Sequence, residues 1–187
     1  MSVKNINQWK DRNSFHNDST DEWATPRRIW KPLSDAVGGF DLDSASGCEP
    51  QPIATEQYTE QDDGLSEEWY GQVWCNPPYS SPVDWISKAV DEHEQGNTER
   101  ILLLLPARTN TNWFSDHINH ADALLLFNRK LSFLSNGEKE KDAFPTPMML
   151  VVFGEVNQEL AEYGDNNGLF IELNEQRITL SDFEDDA

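Results

Sequence analysis

Short apolar runs, separated by stretches with helical spacing, organise this chain. Residues 101–105, 123–127 and 148–153 are almost continuously apolar, as expected of strands buried on both faces, and Val73-Trp74-Cys75 is a shorter run of the same kind. Between them Ile29, Leu33 and Val37, then Val83, Ile86, Ala89 and Val90, then Trp113, Phe114, His117 and Ile118 recur at the interval of one helix face. Strands alternating with helices predict an α/β fold. Thr25 is expected to cap a helix whose first residue is Pro26, either kinked at Pro32 or starting beyond it, and stopped by Gly38-Gly39. A first core strand is expected over residues 39–43, and Pro82 sits where a proline fits the first turn of the next helix. Trp69 and Tyr70 are expected to close the core.

At 187 residues the chain is long enough for one domain with a sizeable core. Residues 1–20 are polar and aperiodic and read as a flexible arm; residues 21–154 hold the patterned elements; residues 155–187 form an extension. Within that extension 155–168 reads as a polar connection, 170–173 and 177–180 as two strands of a short hairpin, and the end as an acidic tail.

The most specific chemistry follows the strand-like run at 73–75. Asn76-Pro77-Pro78-Tyr79 places a side-chain amide, two residues without backbone donors and an aromatic ring in succession. The Asn76 side-chain oxygen and the Pro77 carbonyl are two acceptors beside a flat face. That combination suits a planar heterocycle carrying an exocyclic amino group.

This stretch resembles the catalytic motif of S-adenosylmethionine (SAM)-dependent amino methyltransferases that act on adenine N6, cytosine N4 or a protein glutamine amide. The segments Asp21-Glu22-Trp23-Ala24-Thr25-Pro26, Phe40-Asp41-Leu42-Asp43, Asp63-Gly64-Leu65, Leu104-Leu105-Pro106-Ala107-Arg108-Thr109 and residues 144–153 narrow the resemblance to the phage-type (Dam-like) DNA N6-adenine methyltransferases, over about residues 20–154. It implies a Rossmann-like methyltransferase fold, a mostly parallel sheet whose last strand is antiparallel, SAM as methyl donor and DNA as substrate. Catalysis then falls to Asn76, Pro77, Pro78 and Tyr79, acting on a base flipped out of the duplex.

By the same resemblance Thr25 and Pro26 lie beside the methionine end of SAM, and Asp63 and Leu65 hold its adenine. Asp41 and Asp43 end a strand at the edge where open sheets bind ligands, and one of them, preferably Asp43, accepts from an ammonium or a ribose hydroxyl. Ser44 belongs to a small-residue loop that lets cofactor and backbone approach closely but departs from the glycine-rich form, and Asn76 counts among the expected cofactor contacts as well as the catalytic residues. Arg108 emerges on the same edge as Asn76, and Arg129, Lys130, Lys139 and Lys141 form a local basic cluster; these five are the expected DNA contacts. The histidines are scattered singly and carry no assigned role, and no residues fall in a metal-ligand spacing.

Charge complicates a nucleic-acid assignment, since 14 Lys+Arg against 34 Asp+Glu leave a net −20. Such a surface repels phosphate in dilute salt. In about 1 M salt the Debye length falls to about 3 Å, so net charge hardly matters beyond contact. A haloadapted protein, from a salt-loving microbe or its virus, reconciles the two. Cys48 and Cys75 cannot build a disulfide framework, no basic-then-apolar leader opens the chain, and the apolar runs are too short to span a bilayer, so a cytoplasmic protein is expected. The alternatives that stay open are cytosine N4 methylation, which uses the same geometry, and a non-catalytic SAM- or DNA-binding protein on the same scaffold. The recognised bases, the oligomeric state and any part in restriction-modification are not legible.

Overall fold

A computed structural model describes residues 24–47, 51–135, 139–140 and 144–173. A seven-stranded sheet contains β1 (Leu42–Asp43), β2 (Glu56–Gln57), β3 (Gly71–Cys75), β4 (Thr98–Pro106), β5 (Ala123–Phe127), β8 (Met148–Gly154) and β9 (Gly168–Glu172). Their spatial order is β2-β1-β3-β4-β8-β5-β9, and β6 (Leu134–Ser135) pairs with β7 (Lys139–Glu140) as a separate ribbon. Four helices accompany the sheet: α1 (Arg27–Val37), α2 (Pro82–Glu94), α3 (Asn112–His117) and α4 (Gln158–Asn167).

The central strands are buried on both faces, and their side chains alternate between two cores. Leu102 and Leu104 of β4, with Leu150 and Val152 of β8, meet Ile29, Trp30 and Leu33 of α1 and Leu160 of α4. Ile101, Leu103 and Leu105, with Val151 and Phe153, face Trp85, Ile86 and Ala89 of α2 and Trp113 of α3. The result is a three-layer α/β/α arrangement, which explains why these strands read as unbroken apolar runs.

The sheet is mixed, which corrects the expectation of a mostly parallel one. The ladders β1–β2, β1–β3 and β3–β4 are parallel, whereas β4–β8, β5–β8 and β5–β9 are antiparallel. β8 does run antiparallel to its neighbours as expected, but it lies between β4 and β5, and a further strand follows it. The reason is connectivity. Among the described residues between β5 and β8 there is no crossover helix, so the chain turns back from the same edge and must run the other way.

Other differences have equally local causes. Helix α1 runs continuously through Pro32 and begins at Arg27, with Pro26 as its extended N-cap. Thr25 makes no capping bond. The first core strand shrinks to two residues because the Asp41 carboxylate, with its own backbone N–H, bonds the backbone of Gln72 at 2.8 Å in each case. Trp69 is buried, but Tyr70 is 39% exposed and donates to Glu56 at 2.6 Å.

Residues 155–168 are not merely a connection. The Asn157 side chain accepts from the Leu160 N–H at 3.0 Å and caps α4. Strand β9 then pairs with β5 at the edge of the main sheet. The second strand expected at 177–180, the acidic end and the arm at 1–20 lie outside the described residues. Among the described residues no helix is long and apolar enough to cross a membrane.

Helix α4 and β9 meet through Gly164, where an added Cβ would stand 2.4 Å from the Phe170 ring. Gly164→Val should therefore force β9 away from β5. Overpacking of this kind costs about 1–3 kcal/mol, and for a domain of this size thermal unfolding should show a drop in Tm of roughly 2–12 °C. An unchanged Tm would mean that β9 is not integral to the sheet.

Candidate active site

Five strands, β1 to β5, run in the same direction and bring their C-terminal ends to one edge. Asp43 and Ser44 leave β1 there, Asn76 leaves β3 beside them, and Ala107-Arg108 and Asn128-Arg129-Lys130 leave β4 and β5. Ser44 is fixed to β3 through its N–H to the Trp74 carbonyl at 3.0 Å. The loop that follows is held to β2 by Ser46, whose N–H and Oγ both reach the Tyr58 carbonyl, at 2.9 and 3.1 Å.

Asp43 is the electrostatic anomaly of this edge. It is 2% exposed, and its side chain accepts a 3.3 Å bond from the Ala45 N–H. Burial pushes its carboxyl up to about 7, only partly opposed by that bond. Asp41, two residues earlier, is exposed, and its carboxylate is engaged with Gln72. The two aspartates are thus distinguished by environment, Asp43 buried and Asp41 exposed.

Residues 63–65 reach the same place through a close approach. An added Cβ at Gly64 would stand 2.0 Å from the Ser44 carbonyl oxygen, so only glycine lets this loop lie against the end of β1. Its shape is locked by Trp69 Nε1, which donates to the Gly64 carbonyl at 2.7 Å. Asp63 adopts φ 55°, an uncommon left-handed conformation for a non-glycine residue, and its carboxylate accepts from Ser66 Oγ at 2.7 Å. Leu65 is half-buried against the core.

At the end of β3, Asn76 and Pro78 are half-buried and Pro77 and Tyr79 are buried. The Tyr79 hydroxyl donates to Asn76 Oδ1 at 2.5 Å. Its ring meets Phe133 and Phe144 edge to face, with centroids 6.1 and 5.3 Å away. Burial raises the Tyr79 hydroxyl well above the ordinary phenol range, so it stays a donor. The neighbouring Cys75 thiol is likewise pushed up by burial, and the proximity of Asp43 adds to this.

Phe133 and Phe144 were not singled out from the sequence, although aromatic residues within a polar segment were the available signal. They are carried by the strap between β5 and β8, in which the Phe144 N–H donates to the Leu131 carbonyl at 2.7 Å. The strap is tied to the start of α1, since the Leu134 N–H donates to Ala24 O at 2.9 Å. Thr25 and Pro26, next along, are both buried, and Thr25 Oγ1 has no hydrogen-bond partner. Among the expected DNA contacts Arg108, Arg129 and Lys130 are exposed, and Arg129 donates to Asn167 Oδ1 at 2.7 Å. Lys139 lies in β7, and Lys141 falls outside the described residues.

Comparison with known proteins bears directly on this arrangement. A model of the family described as DNA N-6-adenine-methyltransferase (Dam) matches residues 12–169. A protein of Escherichia phage T1, named DNA N-6-adenine-methyltransferase, is 34% identical over 108 residues, which is 56% of this chain and 44% of that protein. A protein of the same name from Haemophilus phage HP1 (strain HP1c1) is 28% identical over 162 residues, 84% of this chain and 90% of its own length. The match thus spans less than half of the T1 protein and nearly all of the HP1 protein. The family match takes in every strand of the main sheet up to the start of β9, and the chain belongs to the DNA N-6-adenine-methyltransferase (Dam) family.

Proposed function

We propose that this protein transfers a methyl group from SAM to the exocyclic N6 of adenine in DNA. The observation that carries the reading is the meeting, at one sheet edge, of the Asn76–Pro77 acceptors with the buried Asp43 carboxylate on the adjoining strand. Family membership supports a methyl donor and an adenine target.

The residues present fit SAM. Asp43 has one long backbone bond for a buried carboxylate, and Thr25 Oγ1 is buried without a partner. Such groups are costly to leave unsatisfied. An ammonium or a ribose hydroxyl would satisfy Asp43, and Thr25 with Pro26 would border the methionine end. Ser44 and the Gly64 loop leave room for close backbone approach, with Asp63 and Leu65 placed for the adenine. SAM supplies a methyl group on a sulfonium, which leaves without acid assistance.

The protein's task is to prepare the amino nitrogen, whose lone pair is delocalised into the ring. Asn76 Oδ1 and the Pro77 carbonyl would each accept a hydrogen bond from one amino N–H, biasing the nitrogen towards a tetrahedral shape that makes its lone pair available for the new N–C bond; once methylated, the nitrogen gives up one proton to solvent. Among the described residues the Pro77 carbonyl accepts no hydrogen bond, and Asn76 Oδ1 holds the Tyr79 hydroxyl. A carboxamide oxygen can accept two donors, so the hydroxyl orients Asn76 Oδ1 without closing it to an amino N–H. The adenine must leave the base stack to arrive there, and the Tyr79 ring steadies it. The acid excess is read as adaptation to a saline cell interior, where contact geometry outweighs net charge.

Asn76→Ala should lower kcat by about 10²–10³-fold with little change in SAM affinity. Nucleoside mass spectrometry after incubation with unmethylated DNA and SAM checks this, and full activity in the variant would sink the assignment. Methylcytosine as the product would move it to the N4 reaction. Asp43 yields a pH prediction. Its folded value of about 7 lies above that of an unfolded aspartate, about 3.9, so the stabilisation from its proton is complete below that lower value and lost as pH rises through 7. Asp43→Asn should match the wild type near pH 4 and exceed its ligand-free stability above pH 7, by about 4 kcal/mol at most, while weakening SAM binding. Thermal melts and calorimetric titration read the two effects, which must have opposite signs. Finally, activity and Tm should both rise towards molar potassium chloride. Equal values in dilute buffer would remove the case for haloadaptation.

A further inference from the structure

Among the described residues the positive charge is segregated. Of the lysines and arginines whose side chains are described, five are exposed: Arg27, Arg28, Arg108, Arg129 and Lys130. All five stand at the sheet edge that carries Asn76. Arg27 and Arg28 open α1, and Arg28 Nη2 reaches the Ser132 carbonyl on the strap at 3.4 Å. Arg108 follows β4, and Arg129 and Lys130 follow β5. Among the described residues Arg27, Arg108 and Lys130 form no ion pair.

Cations elsewhere are neutralised or enclosed. Lys31 pairs with Asp35 and Lys88 with Glu92. Arg100 is buried at the opposite edge, held by the Glu155 carbonyl at 2.7 Å and the Gln72 side chain at 2.8 Å. That opposite edge is acidic, with Asp122, Glu155 and Glu172 around a groove beside His93. Carboxylates do occur on the catalytic edge: Asp62 and Asp63 on its β2 side, bonded to Thr59 and Ser66, and exposed Asp84 in the first turn of α2. Arg27, Arg108 and Lys130 are spread from α1 across β4 to β5.

In a chain of net −20, random placement would surround exposed cations with carboxylates. We infer that Arg27, Arg108 and Lys130, flanked by Arg28 and Arg129, form a ridge that grips the phosphates of duplex DNA around the displaced adenine. This rests on the proposed function and adds to it the surface that holds the duplex. It also adds α1 to the contacts read from sequence, with Arg27 at the mouth of the site. Because Arg27, Arg108 and Lys130 form no ion pair among the described residues, a phosphate contact at each need break none of those pairs.

The test is the salt dependence of affinity for a short fluorescein-labelled duplex of mixed sequence, followed by anisotropy across a range of potassium chloride. Each phosphate contact contributes about 0.9 to the slope of log K against log salt. Arg27→Gln, Arg108→Gln and Lys130→Gln should each reduce the slope by about 0.9, and the triple variant by about 2.7. Lys88→Gln, on α2, should keep the wild-type slope; Glu92 there retains its bond from Asn97 at 2.7 Å. An unchanged slope in the triple variant, an equal loss in Lys88→Gln, or no duplex binding by the wild type would overturn the ridge. Methyladenine formation by the wild type, measured in parallel, judges the reaction separately, since a protein that methylates with no slope change retains its function and loses only this surface.

Discussion

The antiparallel pairing of β4 with β8 is the constraint on which the molecule depends. Its register runs unbroken from Arg100 opposite Gly154 to Pro106 opposite Met148, and both strands are almost wholly buried. Every other part of the site is hung from it. On one side β3 and β1 pair outward from β4 and deliver Asn76 and Asp43; on the other β5 pairs with β8 and launches the strap that covers Tyr79. Gly154 marks where the pairing ends, at φ 95° and so close to the Glu99 carbonyl that an added Cβ would stand 2.3 Å from it.

What the sequence disclosed and what it concealed divide along physical lines. Strands buried on both faces need only apolar side chains, so β4, β5 and β8 were readable within three residues of their ends. The direction of β8 relative to β5 is not encoded in its apolar residues. It depends on whether the chain crosses over or turns back, and the segment 128–147 carries no helical pattern that would have forced a crossover. Helix α4 was overlooked because its buried contribution is small: Leu160 and Gly164 are buried, Tyr163 packs partly against the core, and apart from Ala161 the rest is polar. Its Asn157 cap was the legible signal.

The site was legible where side-chain chemistry is distinctive and obscure where it depends on partners. Asn76-Pro77-Pro78-Tyr79 announces acceptors and a ring, but nothing in it indicates that the ring would be edge-on to two phenylalanines more than fifty residues away in the chain. Asp41 and Asp43 look equivalent as letters. Only the depth of the strand end separates a carboxylate engaged with the backbone of β3 from one held up near pH 7.

On the proposed function, the bond from Tyr79 to Asn76 would bear on discrimination among bases. A phenol that stays a donor holds the carboxamide with its oxygen, rather than its nitrogen, towards the ring. A carboxamide oxygen can accept two donors, so this bond sets the orientation of the amide without closing its oxygen to an amino N–H. A base with a carbonyl at that position would set oxygen against oxygen, a mismatch that is costly to bury. The hydroxyl would thereby give the admission rule its sign, while the free energy that draws a base inward would come from stacking and from contacts to the rest of the duplex.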